Sequence, residues 1–302
     1  DLVFKVGYVG NMGRRLENVF NPNQPVPGPE APALRRPFRV LAPRVINIDY
    51  AVSDGLSAYH SLQASLERRF ANGIGFLSAY TWAHSIDTVA NQFGGADNGP
   101  LPQDIRNRRA DRGNSGHDLR HRFVHSMNYE LPVGKGRKFG SGMGRAADMI
   151  AGGWDMNLIA TMQTGLPFTP VLANSVSNAG GSRPDRFKDG KIDNPTIARW
   201  FDVSLGTAAS GAAWGTPAQF TFGNGARNSL YGPGRVNFDY SVFKNFAVTE
   251  RVKLQFRTEI FNLFNHAQFD LPNPAVGNPN AGIITSIVGT PRQMQFALRL
   301  SF

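Results

Sequence analysis

The stretch RQMQFALRLSF, Arg292 to Phe302, decides the fold class. Met294, Phe296, Leu298, Leu300 and Phe302 alternate with Gln293, Gln295, Ala297, Arg299 and Ser301. Successive strand side chains point to opposite sides, so one face is wholly apolar and the other mostly polar. A half-buried strand of a soluble all-β domain also alternates. Here a bulky apolar group recurs over the roughly 9–11 residues that a tilted strand needs to cross a bilayer. A membrane-spanning strand is therefore the leading reading, to be judged against the rest of the chain.

Composition points the same way. With 302 residues, 41% of them hydrophobic, the chain is able to bury one large core or two ordinary ones. Its 33 Gly and 20 Pro are heavy for a helical protein and normal for strands joined by loops. No run of about 18 apolar residues occurs, which excludes a transmembrane helix but not a barrel, whose segments are only half hydrophobic. The absence of Cys excludes disulfides and thiolate metal sites. A net charge of +10 raises the question of nucleic acid, but the basic groups Arg35–Arg39, Arg106–Arg112, Arg120–Arg122 and Lys135–Lys138 sit in or beside Gly/Pro-rich connections. No recognition helix carries them, and no nucleic-acid partner is expected. The chain opens at Asp1 without a charged-then-apolar leader, and a fragment of a longer protein is expected.

Working outward, Leu2, Phe4, Val6 and Tyr8 mark a first strand, followed by a loop from Asn11 to Ser57 that contains NPNQPVPGPEAPA. Period-two alternation then predicts strands at Ala58–Phe70, Ile74–Ile86, Leu119–Leu131, Trp154–Thr164, Val236–Val248 and Val252–Phe264. With the last segment this makes eight strands. Their connections alternate in length: Ala71–Gly73, Pro132–Gly153 and Thr249–Arg251 are short or intermediate, whereas Asp87–Asp118, Gly165–Arg235 and Asn265–Pro291 are long. Transmembrane barrels have short periplasmic turns and long extracellular loops, and a sandwich has no reason to keep that order. In this orientation Phe70, Phe76, Tyr129, Trp154, Phe246 and Phe302 fall near the periplasmic ends on the apolar parity, where interface aromatics belong.

The opposite parity holds Glu67, Arg69, Asp155, Asn157, Asp239, Lys253, Gln255, Arg257, Glu259 and Arg299, a polar lumen wall. Lys244 and Arg68 fall on the apolar parity, each two residues from an interface aromatic, so their stems are expected to snorkel to headgroups. His60 and His125 share that parity with no such outlet.

Chemistry-bearing patterns are weak. His117, His121 and His125 have helical metal-ligand spacing, but four residues along a strand span roughly 13 Å, too far to share one ion. GKGRKFG at Gly134–Gly140 has neither dinucleotide nor phosphate-loop spacing and reads as a turn. Asp185 and Asp189, in the longest loop, are candidates for a sugar or cation contact, with a solvated loop the plainer reading. No Ser/His/Asp arrangement stands out. Neither an enzyme nor a cofactor is expected.

The runs SAYHSLQASLERRF and YTWAHSID, DLRHRFVHSMNYELPVGKGRKF, GWDMNLIATMQTGLPFTP, SRPD, RNSLYGPGRVNFDYSVFKNFAVTERVKLQFRTEIFNLFNHAQFDLPNP and PRQMQFALRLSF resemble the C-terminal barrel portion of Oar-like TonB-dependent outer-membrane receptors. The resemblance spans nearly the whole chain. It implies a barrel of about 22 strands, of which this is the C-terminal part, in the cell outer membrane. It further implies an N-terminal plug, coupling to the TonB energy-transducing complex and uptake of an unidentified extracellular ligand. The end Phe296, Leu298, Leu300 and Phe302 resembles the signal read by the barrel-assembly machinery. Two other readings stay open: a passive pore or small surface-binding barrel, and a soluble carbohydrate-binding β-sandwich.

Overall fold

Eight long strands build one antiparallel sheet in the computed structural model, which describes residues 2–89, 102–247, 249 and 252–302. They are β1 (Leu2–Phe20), β2 (Tyr50–Ala71), β3 (Ile74–Asp87), β4 (His121–Glu130), β5 (Trp154–Gln163), β6 (Arg235–Ala247), β7 (Lys253–Phe261) and β8 (Gln293–Ser301). Each pairs with its neighbours in sequence, an up-and-down order, and a two-residue strand at Gly113–Asn114 adds to the edge of β3. The sheet is all-β and, among the described residues, does not close: β1 pairs only with β2, and β8 only with β7.

Register ties the alternating faces together. Leu2, Arg68, Phe76, Met127, Leu158, Tyr240, Ile260 and Met294 form one row of directly paired residues across all eight strands. Gly75, Asn128, Asn157, Ser241, Glu259 and Gln295 form a row of the other parity across six. A slip of one residue in any strand would interleave the two sets. One face is therefore predominantly apolar, here called outward, and the other polar. Among the described residues no second layer covers the outward face: Phe296 is 62% and Leu298 71% exposed. Leu254 packs edge-on beside its partner Leu300 in the same sheet. A β-sandwich is excluded by this arrangement, because it would bury those side chains.

A charge on this face should be costly. Leu298→Arg is expected to destabilise the inserted protein by about 2–4 kcal/mol, the midplane cost for Arg on a lipid-facing strand. Ala297→Arg, one residue along on the polar face, should stay within about 0.5 kcal/mol. Urea unfolding of the full-length protein from lipid vesicles reads the difference, and equal losses would refute the face assignment.

Several boundaries differ from the sequence reading. β1 and β2 run on for 19 and 22 residues, through Arg14, Glu17 and Asn18, where a loop starting at Asn11 was expected. In this extension polar Asn18 and apolar Val19 are both buried although they point to opposite faces, so backbone pairing continues with no apolar alternation to reveal it. A register shift at Arg15 interrupts the ladder. β7 stops at Phe261 rather than Phe264 because Asn262 turns to φ 53° and its amide bonds the His266 backbone on both sides. The β2–β3 turn is Asn72-Gly73, both at positive φ, as a two-residue hairpin requires.

Four side chains also bear on the sequence reading. A bulge sets Arg69 and Phe70 opposite the single residue Gly75, and Ala71 resumes the outward row against Ile74. Phe70 thereby turns to the polar side, where a Cβ on Gly75 would lie 2.9 Å from its Cα. Lys244 does not snorkel outward; it is 3% exposed, beneath the β4–β5 connection. His60 and His125 find partners within the outward face itself: the Tyr8 hydroxyl lies 2.5 Å from His60 Nδ1 and the Ser78 hydroxyl 2.8 Å from His125 Nδ1. Phe76, Tyr129, Trp154 and Phe246 stand on the outward register at the short-turn end, and Phe302 follows the last paired residue there. Of the tight turn at Thr249–Arg251, Glu250 and Arg251 lie outside the described residues.

Candidate functional site

The best-packed part of the molecule is in its long loops. Phe168, Phe201, Ala213, Trp214 and Leu230 from the β5–β6 loop bury against Val276 from the β7–β8 loop, with Trp200 and Val203 beside them. Short pairings hold this cap: Leu230–Tyr231 with Pro167–Phe168, Trp214–Gly215 with Asp185–Arg186, and Ala275–Val276 with Val171–Leu172. Gly165–Arg235, expected to be irregular, is thus a folded element whose core comes from residues far apart in sequence.

Buried charge joins the cap to the other loops. Arg183 donates to Asp111 Oδ1 at 2.7 Å, and both side chains are at most 5% exposed. Arg227 pairs with the Asp87 carboxylate, and it donates to the Asp111 carbonyl at 2.7 Å and the Asp87 carbonyl at 3.0 Å. Two cations and two anions balance, which is what makes such burial tolerable. Burial pushes the Asp111 carboxyl up and the Arg183 guanidinium down, and the attraction between them offsets part of each shift. Nearby, the Tyr231 hydroxyl donates to Asp118 Oδ2 at 2.6 Å and accepts from Arg120 Nε at 3.1 Å. Burial, then the bond to Asp118, pushes its pKa up to about 12.

Between these loops lies a cavity of about 590 Å³. Asn21, Gln24, Arg36 and Ile46 of the β1–β2 loop line it, with Gln103, Ile105 and Asp111 of the β3–β4 loop and Thr169, Leu172, Ser182, Arg183 and Arg227 of the β5–β6 loop. The volume suits a small organic molecule. The glutamine amides of its wall are engaged in loop–loop bonds: Gln24 Nε2 donates to the Gln103 carbonyl at 2.8 Å, and Gln103 Oε1 accepts from the Arg183 backbone at 2.6 Å. Asp111 Oδ2 and Arg183 Nε are buried with no protein partner. One offers an acceptor and the other a donor, so a neutral hydroxyl, which gives one hydrogen bond and takes another, answers both.

The polar face of the sheet carries a second concavity of about 420 Å³ at its short-turn end. Asp155 Oδ2 accepts from Asn245, Asn245 Oδ1 from Gln255, and Gln255 Oε1 from Arg257, at 2.6–2.7 Å, a chain across β5, β6 and β7. Phe70 lines it with them.

Other sequence candidates do not converge. Asp185 accepts from the Asn224 backbone, tying together two segments of the β5–β6 loop, and Asp189 accepts from that of Lys191, closing its own turn. His117 reaches the Ser85 hydroxyl at 3.3 Å, while His121 and His125 lie along β4 beside Tyr80 and Ser78. GKGRKFG is a turn, closed by Gly134 N–H donating to the Phe139 carbonyl at 2.9 Å. The Arg183–Asp111 and Arg227–Asp87 pairs escaped the sequence reading, although SRPD and RNSLYGPG, two of the runs carrying the family resemblance, contain both arginines and Tyr231.

No curated protein matches the chain. Among solved structures, the outer membrane transporter YddB from Escherichia coli aligns at a TM-score of 0.48 and 9% identity, over 99% of this chain and 30% of that one. The chain therefore spans less than a third of that transporter. The family described as outer membrane beta barrel domain matches residues 1–295. With nearly the full length matched and one face of the sheet predominantly apolar, the chain belongs to the outer membrane beta barrel domain family and resides in the outer membrane.

Proposed function

We propose that the eight strands are the C-terminal part of a wider barrel, the wall of a TonB-dependent receptor that takes up an unidentified ligand. In this reading residues 1–302 belong to one barrel domain, completed by further strands and a plug from a longer protein, and TonB acts through that other part. The observation that carries it is the pair of free edges on β1 and β8. In hydrocarbon an unpaired edge leaves N–H and C=O groups unsatisfied at several kcal/mol each. A small eight-stranded barrel would satisfy them by pairing β1 with β8, which this sheet does not do; added strands satisfy them equally well.

The long-loop cap then faces outside, with its cavity as the ligand-contacting surface, and the polar face borders the plug and the solute path. Phe76, Tyr129, Trp154, Phe246 and Phe302 serve as aromatics of the periplasmic interface, and the end Phe296, Leu298, Leu300 and Phe302 as the assembly signal. The role is non-enzymatic, since the cap's charges are committed to one another and to holding loops.

Because this chain brings no cysteine of its own, paired substitutions at Phe4, Val6 or Tyr8 on β1 and Phe296, Leu298 or Leu300 on β8 test the edge directly. In outer membranes no pair should cross-link, and any efficient β1–β8 disulfide would establish the small barrel instead. Separately, the full-length protein should co-purify with the periplasmic domain of TonB, and failure to do so would remove the energised half of the reading.

A further inference from the structure

The connection between β4 and β5 carries one helix, α1 (Arg145–Ala151), and the helix stands on the outward side of the sheet. Two side chains of the outward row fix it there. Trp154 donates its indole N–H to the Ile150 carbonyl at 2.9 Å, and Lys244, paired with Trp154 across β5 and β6, donates to the Gly152 carbonyl. These carbonyls belong to the helix end, where intrahelical donors run out and positive charge is favoured. The Lys244 ammonium also lies 5.3 Å from the Trp154 ring centroid and 5.1 Å from that of Phe246. The outward register thus anchors α1 at the edge of the lipid-facing band.

The rest of the helix is turned away from that anchor. Asp148 folds back, accepting from the Lys135 N–H at 2.6 Å. Met149 and Ile150 are left 54% and 76% exposed, with nothing of this chain over them. Around them residues 132–153 hold four basic side chains, Lys135, Arg137, Lys138 and Arg145, against one acidic, Asp148. Arg137 pairs with Glu130 of β4 at 3.2 Å, leaving three cations for an outside partner.

We propose that this connection is a foot that lies in the leaflet beside it, with Met149 and Ile150 at the acyl boundary and Lys135, Lys138 and Arg145 on the headgroups of anionic phospholipids. Two observations select lipid as the occupant. The exposed pair sits on a helix tied to the end of the apolar band through Trp154, which shares the Lys244 ammonium with Phe246, and these are aromatics of the kind that settle at headgroup depth. The surplus of cations matches an anionic surface, the pattern of helices that lie in an interface. That the leaflet is the periplasmic one rests on the orientation given above.

The test uses the full-length protein in vesicles of phosphatidylethanolamine and phosphatidylglycerol, with Ile150→Cys, and separately Met149→Cys, labelled by a polarity-sensitive fluorophore. Asn194→Cys in the cap serves as the water-exposed control. Labels on the foot should emit to the blue of the control, lose most of their emission to a nitroxide near the lipid headgroup, and resist aqueous iodide. Omitting phosphatidylglycerol should weaken the nitroxide effect. Quenching by iodide alone would put the foot in water, and resistance to both quenchers would put it against protein; either overturns the proposal. In whole cells a membrane-impermeant maleimide should label Asn194→Cys but not Ile150→Cys, and a reversed pattern would overturn the orientation while leaving the lipid contact intact.

Discussion

Replacing Arg227 with methionine is expected to destabilise the loop cap by about 3–5 kcal/mol, the usual cost of removing one partner from a buried ion pair. Arg227 is 4% exposed and Asp87 5%, so the carboxylate left behind has no route to water. The substitution also deletes the donors to the carbonyls of Asp111 and Asp87, and methionine fills most of the volume, which separates loss of charge from loss of packing. Amide exchange in the full-length protein should accelerate across the β3–β4 and β5–β6 loops, while β6 to β8 stay protected. Adding Asp87→Leu should recover part of the loss, since removing both charges is far milder than removing one. As a contrast, Arg106→Met breaks a partly exposed contact to Asp104 at 3.4 Å and an exposed bond to the Pro25 carbonyl at 2.8 Å, and should cost about 1 kcal/mol. Equal, small effects for Arg227 and Arg106 would show that the buried pair does not hold the loops together.

Where the chain meets lipid, its sequence could be read directly. Hydrocarbon on one side and water on the other impose period-two alternation, so the parities of Phe76, Met127, Leu158, Tyr240, Ile260 and Met294 were each assignable from their own strand before pairing joined them in one row. That constraint stops at the bilayer. Past Asn11 no such constraint acts: Asn18 and Val19, on opposite faces of β1, are both buried, and the extension to Phe20 leaves no pattern. Local irregularities are equally silent: the bulge that reverses Phe70 shows only as a glycine at position 75 on the facing strand. Lys244 looked like a snorkelling residue because its true partner, the Gly152 carbonyl, is 92 positions away.

The cap was illegible for a related reason. Its pairs are separated by 72 positions for Arg183 with Asp111 and 140 for Arg227 with Asp87. Its core residues arrive one or two at a time in loop sequence, and no periodicity connects Phe168, Phe201, Trp214, Leu230 and Val276. Loop length and turn residues placed the cap's limits to within a few residues but hid the packing. The candidate cavity inherits that blindness, because its wall is drawn from three loops that meet only after the cap has folded.

Trp214→Ala should then dismantle the cap from within, at a cost of about 3–5 kcal/mol for a fully buried tryptophan. Trp214 is 0% exposed, its indole N–H donates to the Asp202 carbonyl, and its backbone bonds Ser204 and Gly206. Gly190, at φ 74°, passes so close that a Cβ there would come within 2.3 Å of the ring, so the surrounding chain is shaped to the indole and has little freedom to collapse into its absence. Amide exchange should rise about a hundredfold or more across residues 185–215 and around Val276, with the β4–β5 ladder unchanged. Trp214→Phe keeps most of the packing and loses the hydrogen bond, an effect of about 1–3 kcal/mol. The two substitutions differ in reach from Arg227→Met. Loss of the arginine frees one loop from another, whereas loss of the indole removes the core on which the β5–β6 and β7–β8 loops are folded. If Trp214→Ala left exchange in residues 185–215 unchanged, the cap could not be a cooperatively packed unit, and its cavity would lose the rigid wall that ligand binding requires.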